Sequence, residues 1–61
     1  MIMANYRLKR VLTNGWHYFE EIKVRTSRFA FAHVENCIRY ERDLDYIDIY
    51  SEDKKIATFY K

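Results

Sequence analysis

Residues 6–22 read Tyr-Arg-Leu-Lys-Arg-Val-Leu-Thr-Asn-Gly-Trp-His-Tyr-Phe-Glu-Glu-Ile, and the way this stretch folds back on itself decides the architecture. Asn14-Gly15 is its turn signal, because glycine takes a positive φ without a Cβ clash. A two-residue loop would pair Thr13 with Trp16 and set Leu8 opposite Glu21. A three-residue loop, Thr13-Asn14-Gly15, instead pairs Leu12 with Trp16 and Tyr6 with Ile22, and places Arg7 opposite Glu21 on the other face. Side chains alternate across a strand, so the second register sorts apolar from charged residues and is preferred. Arg10 and Glu20 resist the sorting. Both fall on the inner face, where pairing at its margin would reconcile them.

Downstream, Thr26 or Ser27 can cap a helix. Ala30, Phe31, Val34, Cys37, Ile38 and Glu41 recur at helical spacing, with Glu35, Arg39 and Arg42 pointing outward. A helix over about residues 27–42 is expected, although the alternation of Phe29-Ala30-Phe31-Ala32 would also suit a longer second strand. Asp43-Leu44-Asp45 ends it and opens a second hairpin. Taking Glu52-Asp53-Lys54 as its loop pairs Ile49 with Ala57 and Ile47 with Phe59 as an inner face. Tyr46, Asp48, Tyr50, Ile56, Thr58 and Tyr60 then form the outer face. Upstream, Met1-Ile2-Met3-Ala4 reads as the start of the first strand. The expected fold is α+β: a two-layer ββαββ domain over residues 1–61, one helix packed on a four-stranded, mainly antiparallel sheet.

Composition agrees with a small folded domain. Hydrophobic residues make up 49% and aromatics 18% of the 61 residues, which can build a core but leaves it near the lower size limit for independent folding. Cys37 is the only cysteine, so no disulfide can staple the chain, and a reducing compartment, the cytoplasm, is expected. No apolar run is long enough for a bilayer. The net charge of +2 conceals an asymmetry, with residues 1–28 basic and the remainder mildly acidic. That excess alone is not a nucleic-acid signature.

No catalytic, cofactor-binding or metal-ligating set emerges. His33 and Cys37 stand four apart on the helix, but a zinc site needs about four ligands, and a thiol–imidazole dyad needs an orienting group and a cleft. A small core thiol is the simpler reading of Cys37. Glu20 and Glu21 point to opposite faces of a strand and cannot act together. Asp43, Asp45 and Asp48 lack the glycine and terminal glutamate of a calcium loop. A single glycine rules out a phosphate-cradling loop.

The informative feature is the outer sheet face. Phe19, Tyr46, Asp48, Tyr50, Ile56 and Tyr60 are the expected partner-binding residues, with Arg7, Lys9 and Lys23 as basic contacts nearby and His17 beside them. An uncovered sheet face is ordinarily polar. Grouped aromatics mark protein interfaces, or platforms on which bases stack, although tyrosine is also simply a good strand residue. Asp48 between Tyr46 and Tyr50 should repel phosphates, which favours a protein partner over RNA or single-stranded DNA. In length and in lacking a catalytic set, the chain resembles the small host-modulating proteins that phages and mobile elements encode. That resemblance implies a non-enzymatic inhibitor or modulator occluding a larger host protein of the nuclease or polymerase class. An RNA or single-stranded DNA binder and a self-associating structural protein are the alternatives.

Overall fold

The computed structural model describes residues 2–61. Strands β1 (Ala4–Leu12) and β2 (His17–Val24) are followed by helix α1 (Ser27–Tyr40) and strands β3 (Leu44–Ser51) and β4 (Lys54–Tyr60). The strands form one sheet in the order β2-β1-β3-β4, every neighbouring pair antiparallel, with the helix on one face. This is the expected ββαββ domain. Ile2 and Met3 precede β1 rather than begin it, and Met1 lies outside the described residues.

The first hairpin takes the three-residue register. Tyr6 faces Ile22 and Arg7 faces Glu21, and the Leu12 N–H donates to the Trp16 carbonyl at 2.7 Å. Gly15 has φ +91 and Asn14 Oδ1 accepts the Trp16 N–H at 2.9 Å, so each turn residue has its own task. Nothing lies within 4 Å of a Cβ added at Gly15. Gly15→Val should therefore cost about 1–2 kcal/mol through backbone strain alone, and Asn14→Ala less. Urea unfolding of both variants checks this; equal, negligible shifts would contradict it. Trp16, just before β2, is 69% exposed.

The second hairpin departs from expectation. Its loop is Glu52-Asp53, both left-handed (φ 51 and 65), so Ser51 faces Lys54. The expected pairs Ile49–Ala57 and Ile47–Phe59 still form, because a bulge between Ile49 and Tyr50 accommodates one extra β4 residue, Ile56. Loop and bulge compensate, so the buried face keeps its register.

The helix starts at Ser27, so β2 does not continue through Phe29–Ala32. Thr26 is its N-cap residue, yet its hydroxyl makes no capping hydrogen bond. The helix stops at Tyr40, one turn-half short of expectation, and Glu41 closes it by donating its N–H to the Cys37 carbonyl. Ala30 and Val34 are fully buried against Leu8, Leu44, Ile47 and Ile49, with Tyr6 beside them. Leu8 and Ile49 are direct cross-strand partners on the two central strands. The core thus sits over β1 and β3, and the opposite face of those strands has no helix over it.

Candidate interaction face

Strand order builds the open face in rows. His17, Val11, Tyr46 and Tyr60 form one row across the sheet, and Phe19, Lys9, Asp48 and Thr58 the next. In the third, Glu21, Arg7 and Tyr50 lie side by side. The Tyr46 and Tyr60 rings pack at 5.6 Å between centroids, and Tyr60 remains 73% exposed. Arg7 lies over both Phe19, at 5.1 Å, and Tyr50, at 5.6 Å, which attaches a cation to two ring faces. Arg7 also reaches Asp53 in the β3–β4 loop at 3.5 Å.

The residues expected to contact a partner thus share one surface, with differing accessibility. Phe19, Ile56, Tyr60, Arg7 and Lys23 are exposed, while Tyr46, Tyr50 and Lys9 are half-buried. Ile56 stands beside Tyr50 at the bulge. Asp48 requires a correction. It occupies the expected face but is only 6% exposed, because it sits on a central strand between Lys9 and Thr58. The Thr58 hydroxyl donates to its Oδ1 at 2.5 Å. Little of the carboxylate is left at the surface, and Asp48→Lys would disturb the sheet rather than only reverse a rim charge. Val11, overlooked from the sequence, fills the gap between His17 and Tyr46; only the β1–β3 pairing reveals it.

A second cluster lies under the helix, at the margin of the core. The Arg10 side chain is buried and donates to Glu20 at 2.6 Å, to Glu41, and to the Cys37 sulfur at 3.2 Å. Tyr18 packs against its guanidinium, and His33 Nε2 lies 3.5 Å from Glu20 and 3.8 Å from Cys37 Sγ. The misfit pair of the sequence is therefore the centre of a network linking β1, β2 and α1. Burial pushes the Cys37 thiol up from its ordinary value, and the Glu41 and Glu20 carboxylates add to the rise against the opposing charge of Arg10. A thiol held protonated is a poor nucleophile.

Burial alone would raise the Glu20 carboxyl, but the hydrogen bond and charge of Arg10, with His33, outweigh it and lower its pKa. A folded-state pKa below the unfolded value of about 4.3 gives stability that is present above that pH. It is lost as pH falls through the folded value. Thermal unfolding across an acid series should show the midpoint dropping below about pH 4, less steeply in Glu20→Gln. An identical profile for the variant would contradict this.

Among the described residues, no helix is long and apolar enough to cross a membrane. Comparison with protein-family models, with curated proteins and with solved structures finds no match.

Proposed function

We propose that this is a non-enzymatic protein-binding module of the cytoplasm that engages its partner through the open sheet face. One observation carries the reading: the face groups exposed and half-buried aromatics on a sheet, with carboxylates set beside the two cations that lie among the rings. Arg7 has Glu21 opposite it and Asp53 within reach, and Lys9 faces Asp48, so negative charge lies beside both cations where a phosphate would approach. The ring faces of Phe19 and Tyr50 are already occupied by Arg7, which leaves them poorly placed to stack bases. An aromatic patch of mixed charge suits a protein surface. In this reading the module acts by occlusion, covering a working surface of a larger protein of the nuclease or polymerase class as an inhibitor or modulator.

Tyr46→Ala or Tyr50→Ala should weaken capture of the partner by about thirtyfold, the roughly 2 kcal/mol typical of an aromatic anchor, while circular dichroism stays unchanged. Wild-type binding to single-stranded oligonucleotides that falls steeply with salt would favour the nucleic-acid alternative instead.

A further inference from the structure

The two edges of the sheet differ in how they are protected. Edge strands expose unpaired backbone groups and are commonly guarded by lysines, bulges or proline. The β4 edge has Lys54, Lys55 and the bulge at Ile56. The β2 edge has no bulge against β1, no proline, and a single lysine, Lys23, near its far end. It opens instead with His17, Tyr18 and Phe19, preceded by Trp16, all exposed. We infer that the β2 edge pairs antiparallel with the β2 edge of a second copy of this chain, about a twofold axis at Phe19.

The ladder itself selects the register. The Leu12 N–H bonds to the Trp16 carbonyl, so alternation directs the N–H and C=O groups of His17, Phe19, Glu21 and Lys23 away from β1. Those outward residues must oppose one another across the new seam. Setting Glu21 on the axis would oppose two carboxylates. Pairing Phe19 with Glu21 would bring His17 against Lys23. Setting Phe19 on the axis places ring against ring and sets the His17 imidazole, a hydrogen-bond donor, opposite the Glu21 carboxylate of the second copy, with no like charges opposed among the outward residues. Tyr18 then faces Glu20, and Trp16 gains an apolar neighbour in Ile22. Both helices fall on the same side, so the two open faces join into one continuous surface. This inference goes beyond the protein-binding reading and does not rest on it.

Sedimentation equilibrium over a concentration series tests it. Wild type should approach a dimer as concentration rises. Phe19→Pro removes an outward N–H while leaving the β1 ladder intact, and should weaken dimerisation about tenfold or more with the far-ultraviolet spectrum retained. Glu21→Arg and His17→Glu should each weaken it, whereas the double variant, which sets a carboxylate opposite a guanidinium, should recover it. A wild type that stays monomeric throughout would overturn the inference. So would a dimer that the double variant does not recover, or an edge that binds only an extended segment of another protein.

Discussion

Leu8→Ala is expected to leave the protein largely unfolded at ordinary temperature. Leu8 is fully buried on a central strand, directly across from Ile49 and under the helix. Leucine-to-alanine changes in such positions cost about 3–5 kcal/mol through lost burial and the remaining cavity. A single core in a chain this short rarely supplies more than about 3–5 kcal/mol in total. The substitution therefore removes most of the margin. Circular dichroism with urea titration reads the result, with Leu8→Met as a volume-conserving control expected to stay folded. A cooperative transition in Leu8→Ala within about 1 kcal/mol of wild type would mean that the core does not centre on β1 and β3.

Arg10→Ala should be nearly as damaging. The guanidinium holds Glu20 of β2 and Glu41 at the end of α1, so its loss leaves two carboxylates near each other without a cation. Removing one partner from a buried ion network typically costs about 3–5 kcal/mol. Both glutamates keep side chains 37% exposed, so water relieves part of the penalty, and about 2–3 kcal/mol is the expected loss. Adding Glu20→Gln and Glu41→Gln to Arg10→Ala should restore part of it. Chemical denaturation of the single and triple variants measures both effects. A single variant as stable as wild type would show that the network is ornamental to the fold.

Much of the architecture was legible because hydrophobic alternation and one glycine constrain it. Residues 6–22 specify a register in which Tyr6, Leu8 and Ile22 face inward, and only the three-residue loop satisfies it. The second hairpin was read correctly in its core pairs but not at its tip. Period-two patterning locates Ile47, Ile49, Ala57 and Phe59, and is blind to a loop and a bulge that cancel. Strand order was not legible, since both hairpins are local while the β1–β3 pairing joins residues far apart in the chain. That gap hides the burial of Asp48. Its neighbours along β3 suggested an exposed acid, whereas its neighbours across the sheet, Lys9 and Thr58, enclose it. Arg10 carried a usable signal: a basic residue breaking an apolar face needs a carboxylate partner, and Glu20 was the nearest misfit.

The central claim is that the open sheet face, rather than the helix, meets a protein. A photo-crosslinking amino acid placed at Tyr60, or at Tyr40 on the helix, both well exposed, tests it directly in extracts of the native host with and without nuclease. The account predicts a discrete protein adduct from position 60 that survives nuclease and is lost when Tyr46→Ala is added, with none from position 40. An adduct formed only from position 40, or one from position 60 that disappears on nuclease treatment, would contradict it.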